Sequence, residues 1–144
     1  MAETDLIKLY SQKILALAAD IPHHARLANP SATATRRSPL CGSTVTVDLT
    51  IKDGRVGDFG QEVKACALGQ ASAAIAGQSI PGRSLPELVQ ARDELAAMLK
   101  ENGPTPSPPF DGYEVLTPAR DYKNRHASIL LTLDAACEAF AKLN

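Results

Sequence analysis

The run TVTVDLTIK, residues 44–52, constrains this chain more than any other stretch. Val45, Val47, Leu49 and Ile51 alternate with Thr44, Thr46, Asp48, Thr50 and Lys52. Successive side chains of a strand leave on opposite faces, so the alternation reads as a half-buried strand. Asp53-Gly54 follows at once. That pair is favoured in a two-residue hairpin turn, where both positions need positive φ. The chain therefore returns as an antiparallel strand over Arg55–Val63, anchored by Val56, Phe59 and Val63. Those three do not keep one parity, which predicts a bulge near Gly57 or Gly60.

Around the hairpin the apolar period changes to three or four. Residues 5–20 read as a helix carrying Leu6, Tyr10, Ile14 and Leu17, with Ile7 and Ala18 beside them, ended by Pro22. Residues 22–40 read as loop, with an edge strand around Ala32–Arg36. CALGQASAAIAG, beginning at Cys66, reads as a small-residue helix. Ser84-Leu85-Pro86-Glu87 is a capping box with proline in the first turn, opening a helix through Leu88, Leu95 and Leu99 to Asn102-Gly103. Residues 103–119 hold five prolines and read as an extended internal loop. A last helix over 125–142 buries Ile129, Leu130, Leu133, Ala136 and Phe140. No repeat or second domain is visible in the 144 residues. The order predicts one α+β domain: a small antiparallel sheet of three strands, an N-terminal helix, and three or more C-terminal helices.

Composition narrows the function. With no tryptophan and 4% aromatics, the core rests on Leu, Ile, Val and Ala. A net charge of -1 gives no electrostatic footprint for nucleic acid, and Arg36-Arg37 reads as a solvated face. No apolar run reaches the ~18–20 residues of a membrane span. The first twenty residues lack the basic and apolar regions of a secretory signal. An odd count of three cysteines fits a reducing compartment, so a cytoplasmic protein is expected.

Gly77 to Ser84 has the spacing of a Walker A loop with arginine for lysine. A P-loop follows a buried parallel strand. Here an Ala-rich, helix-like run precedes it, so the residues read as a turn and a helix cap. The adjacent His23 and His24 read as surface or capping residues. Cys137, between Ala136 and Ala139 in the last helix, reads as core filler.

Cys41 and Cys66 differ from these. Cys41 lies where a loop enters the first hairpin strand, and Cys66 where the second strand gives way to a helix. A hairpin brings these two strand ends together, so the thiols share one edge of the sheet. A helix N-terminus lowers the pKa of a thiol such as Cys66, and the thiolate is the form that binds metal or carries sulfur. Gly42, Ala65 and Ala67 leave that edge uncrowded. Two cysteines fall short of the four ligands usual at zinc. On the residues alone the pair is either a metal or sulfur site or two inert core thiols.

These stretches resemble the IscU/SufU family, also found as the N-terminal module of NifU, whose members are scaffolds for iron–sulfur cluster assembly. SPLCGSTVTVDLTIKDGRVGDF resembles its Cys-Gly-Asp loop and hairpin. VKACALGQASAAIAG resembles its Gly-Cys-x-x-x-x-Ala-Ser helix start, GRSLPEL its helix cap, and NRHASILLTLDAACEAF its final helix. IPHHARLANP resembles more loosely its Pro-containing segment after the first helix. The long Pro-rich stretch is similar to the SufU variety.

The resemblance implies three cysteines and an aspartate around zinc or a nascent [2Fe–2S] cluster, with sulfur delivered by a cysteine desulfurase. Cys41 and Cys66 match two of those cysteines. Ser43 stands in the aspartate's place, and Ala127 in that of the third cysteine. His126 matches the IscU-type histidine beside it. The implied ligand set is therefore Cys41, Cys66 and His126, with Ser43 behind it, for iron, zinc, a [2Fe–2S] cluster, or none of them. The implied partners are a cysteine desulfurase and cluster carriers, with no nucleic acid, no membrane and the oligomeric state open. Two other readings stand beside the scaffold. One is a metal-free adaptor of the same fold, docking on a desulfurase or a cluster carrier. The other is a sulfurtransferase using Cys66 as nucleophile with His126. The scaffold ranks ahead of the enzyme because no orienting residue or substrate-pocket signal accompanies Cys66.

Overall fold

The computed structural model describes residues 11–143. Helix α1 spans Gln12–Ala19 and is capped by Ser11, whose hydroxyl accepts from Ile14 N. The helix expected over residues 5–20 thus appears in its second half, and Leu6, Ile7 and Tyr10 lie outside the described residues. Strands β1 (Ala32–Arg37), β2 (Thr44–Lys52) and β3 (Arg55–Lys64) form one antiparallel sheet in that order. Helices α2 (Ala67–Ser79), α3 (Leu85–Lys100) and α4 (Lys123–Ala141) follow, with a 3-10 segment over Asp111–Asp121 before the last. This is the α+β arrangement the patterning predicts.

The alternation in β2 works as the sequence suggests, but both faces are covered. Val45, Val47 and Leu49 are buried in the main core, each worth about 2 kcal/mol of apolar transfer. Helix α4 packs on β1 and β2 and also against α2 and α3, so it is the spine of the helical layer. On the polar face Asp48 is fully buried. Its carboxylate accepts from Arg26 Nε at 2.6 Å, Leu27 N at 3.0 Å and Thr33 Oγ1 at 2.5 Å. A carboxylate placed there without those donors would cost several kcal/mol (~3–5).

The bulge falls beside Gly57, where the register jumps from Leu49↔Phe59 to Ile51↔Val56. Thr50 Oγ1 accepts from Asp58 N at 2.8 Å and so satisfies an amide displaced from the ladder. The outer edge of β3 is covered by the segment after α1. Gln61 N donates to His23 O at 3.0 Å, and Val63 N donates to His24 Nε2 at 3.3 Å. Gly60 permits this, because any Cβ there would collide with the carbonyl of Ala25.

Around α3, the capping box forms as written. Glu87 N donates to Ser84 Oγ and Ser84 N to Glu87 Oε1. Asn102 takes positive φ just past the helix, and Gly103 N donates back to Ala97 O. The Walker-like stretch is the end of α2, a turn with Gly82 at positive φ, and this cap. Residues 103–119, expected to be extended, differ in their second half, which winds into the 3-10 segment. Tyr113 drives the change. Its side chain is fully buried and its hydroxyl donates to Ser72 O of α2, an anchor too distant in sequence for local patterning to show.

Candidate thiol site

Residues 38–43 make the tight turn between β1 and β2. Ser38 N donates to Ser43 O, Gly42 N donates to Ser38 O, and Gly42 takes φ of 73°. The turn lifts Cys41 over the end of the sheet. At the same end Thr44 pairs with Lys64, so β3 finishes there and Cys66 follows as the N-cap residue of α2. Both thiols are half-buried and free.

A line of hydroxyls connects them. Cys41 Sγ lies 3.3 Å from Ser38 Oγ and 3.2 Å from Ser43 Oγ. Ser128 Oγ, from the first turns of α4, donates to Ser43 Oγ at 3.0 Å and stands 3.5 Å from Cys66 Sγ. Each hydroxyl has one proton. Since that of Ser128 goes to Ser43, the Cys66 thiol is the donor to Ser128, and Ser43 is free to donate onward to Cys41. The chain therefore runs from Cys66 through two serines and ends on the sulfur of Cys41.

That ending sets the acidity of Cys41. Burial pushes its thiol up, but hydrogen bonds from the hydroxyls of Ser38 and Ser43 and from the Ser43 N–H outweigh it and bring the pKa down to about 6. At neutral pH Cys41 is a thiolate, the nucleophilic and metal-binding form. Cys137 behaves oppositely. Burial first, then the neighbouring Asp134 carboxylate, pushes it up to about 11, consistent with a thiol packed against the core.

Gly69 makes the line possible. A Cβ there would come within 2.6 Å of Ser128 Oγ and 2.8 Å of Ala65 Cβ. Ser128 Oγ could swing away only by leaving the line, and Ala65 Cβ is fixed by its backbone, so the close approach here depends on a residue without a side chain.

His126 goes elsewhere. It is buried, and its Nε2 faces the carbonyls of Ala119 at 3.0 Å and Arg120 at 3.1 Å. With two acceptors in front of it, Nε2 is the protonated nitrogen. His126 lines a cavity of about 500 Å³ with Leu99, Lys100, Arg120 and Lys123. Residues two apart on an α-helix are turned by about 200°, so His126 and Ser128 leave α4 on opposite sides. The structure brings Cys41, Cys66 and Ser43 together and leaves His126 outside that group. Ala127, half-buried between the two, contributes only a methyl group. Among the described residues no three His, Cys, Asp or Glu side chains converge as a metal set.

With this geometry in view the relatives are informative. The family model for the NifU-like N terminal domain matches residues 9–127. The chain belongs to the NifU-like N-terminal domain family. A crystal structure of a nitrogen-fixing NifU-like protein (N-terminal) from Brucella abortus is 47% identical, covers 96% of each chain and superposes with a TM-score of 0.93. A putative iron–sulfur cluster assembly scaffold protein for the SUF system from Fervidobacterium islandicum AW-1 is 19% identical. That alignment covers 93% of this chain and 98% of the other, with a TM-score of 0.82, a likeness of fold. No curated protein matches. Ser38 and Ser128 were the part of this NifU-like site that sequence reasoning missed. A signal was present: Ser128 lies two residues beyond His126, and Gly69 sits inside a helix that otherwise favours alanine.

Proposed function

We propose that this NifU-like chain serves iron–sulfur cluster assembly as a scaffold, taking iron, zinc or a nascent [2Fe–2S] cluster as cargo at Cys41 and Cys66. The observation that carries the reading is the pairing of the two thiols at one uncrowded end of the sheet, with Cys41 held as thiolate. Family membership and the Brucella relative support the same reading. The partners that follow are a cysteine desulfurase upstream and cluster carriers downstream. His126 fixes the end of the 3-10 segment to α4. To act as a third ligand it would have to release both carbonyls. Anaerobic reconstitution with iron and sulfide tests the proposal. Visible absorption is expected from the intact chain and none from Cys41→Ala. No absorption and no bound metal in the intact chain would sink it.

A second reading draws on the direction of the hydrogen-bond line. If the chain handles sulfur without metal, the acceptor is Cys41, where the line ends, rather than Cys66. Incubation with a desulfurase and cysteine would then add one sulfur to the Cys41 peptide by mass. Addition at Cys66 alone would overturn this assignment.

A further inference from the structure

Helix α4 borders a second concentration of chemistry, on the side turned away from Ser128. The cavity of about 500 Å³ beside His126 is lined by Lys100 from the end of α3, Arg120 from the 3-10 segment and Lys123 from the start of α4. Asp121 is the carboxylate that lines it with them. None of the three cations enters an ion pair among the described residues. Scattered surface lysines need no partner. These cations come from three different elements and share one hollow.

Arg120 is the fixed point. Its Nε donates to Met98 O at 2.7 Å and its Nη2 to Gly103 O at 2.6 Å, which holds the guanidinium in place without cancelling its charge. Nη1 makes no hydrogen bond among the described residues, and the planar fork of arginine suits a carboxylate or a phosphate. The start of α4 adds to the same field. Tyr122 supplies no side-chain cap and the first turn holds no acidic residue, so the positive end of this 19-residue helix is not offset from within.

His126 contributes a group of another kind. It is 5% exposed, and its Nε2 donates to the carbonyls of Ala119 and Arg120. Nδ1 therefore carries a lone pair, and it has no partner among the described residues. That lone pair repels an anionic oxygen and accepts from a hydroxyl. We infer that this cavity binds a small polyanion bearing two or more acidic groups and a hydroxyl, the chemistry shared by hydroxy-polycarboxylates and polyol bisphosphates. The acidic groups pair with Arg120 and the two lysines, and the hydroxyl donates to His126 Nδ1. The volume falls within the range of small-molecule sites, about 300–1,000 Å³, and exceeds what inorganic phosphate fills. The site is separate from the thiols and does not depend on any cargo there.

Isothermal titration of the full chain in metal-free buffer tests the inference. Citrate and glycerol 1,3-bisphosphate serve as probes and separate the two sources. At least one is expected to bind at one per chain, and the tighter one identifies the acidic group. Its analogue without the hydroxyl, tricarballylate or propane-1,3-diol bisphosphate, should bind about tenfold more weakly. Lys100→Gln combined with Lys123→Gln changes two exposed side chains and should weaken the tighter probe about tenfold, with circular dichroism unchanged. The Nδ1 resonance of His126 should shift on saturation, which a diffuse charge effect would not produce. Binding of neither probe, binding unaltered in the double variant, or inorganic phosphate bound as tightly would overturn the inference. So would an analogue without the hydroxyl that binds as well as its parent.

Discussion

The two ends of the β2–β3 hairpin are built from opposite materials. At the turn end, Asp53-Gly54 is stitched to the loop between α2 and α3. Val56 N donates to Arg83 O, Gly82 N donates to Val56 O, and Arg55 Nη1 reaches both Gly82 O and Glu87 Oε1. Glu87 is held down to about 2, first by the Ser84 N–H, then by the Ser84 hydroxyl and Arg55. These backbone and side-chain groups tie the hairpin turn to the loop, with the buried Arg83 Nε left unpartnered among them. At the other end half-buried thiols stand over buried serine hydroxyls, with alanines and glycine around them. One end closes the fold. The other keeps its polar atoms within reach of something outside the chain.

If that contrast is right, substitutions at the two ends should separate cleanly. The largest effect is expected from Cys41→Ala or Cys66→Ala, with complete loss of the reconstituted chromophore and, at pH 6 or below, an unfolding midpoint close to that of the parent. Gly69→Ala comes next. It crowds Ser128 and Ala65 and should destabilise by about 1–3 kcal/mol in denaturant titration, with the Cys41 line disturbed as well. A Gly69→Ala protein as stable as the parent would show that α2 and α4 are not closely held.

Smaller effects probe the hydroxyls. Alkylation of the Cys41 peptide should be half-maximal near pH 6 in the parent and move up towards 9 in Ser43→Ala and Ser128→Ala. The sign for stability follows. The folded pKa lies below the unfolded one, so this stabilisation is fully present above pH 9 and is lost as pH falls through about 6. At the turn end, Ser84→Ala should cost about 1 kcal/mol through loss of the cap while leaving metal loading intact. Arg55→Ala should be smallest, since exposed ion pairs add little. A clear loss of cluster in either turn-end variant would break the contrast.

The turn end was almost fully legible in the sequence. Asp53-Gly54, the capping box and the Asn102-Gly103 stop are local devices, and local chemistry decides them. The bulge was legible as a broken parity, though not as the Thr50–Asp58 contact that satisfies it. The thiol end was legible only to the pairing of Cys41 with Cys66, which follows from hairpin geometry. Ser128 is 62 residues from Cys66, and only the packing of α4 on α2 brings it there. His126 shows the same limit. Its place in the motif said nothing of which side of α4 it leaves from, although counting two residues on to Ser128 separates them. The 3-10 segment escaped because five prolines suggest extension, while Tyr113 buried on α2 rewards coiling.

The segment of His23 and His24 along β3 has a consequence for how molecules of this chain meet in a crowded solution. It occupies outward-facing amides of one border of the sheet. The opposite border, β1, carries Arg36 and Arg37, and Lys142 Nζ donates to the carbonyl of Thr33. Strand-by-strand growth into a shared sheet, the ordinary hazard of a small β-structure, is discouraged at both borders. That leaves the thiol end, with Cys41 and Cys66 half-buried, as the part of the sheet still open to other molecules.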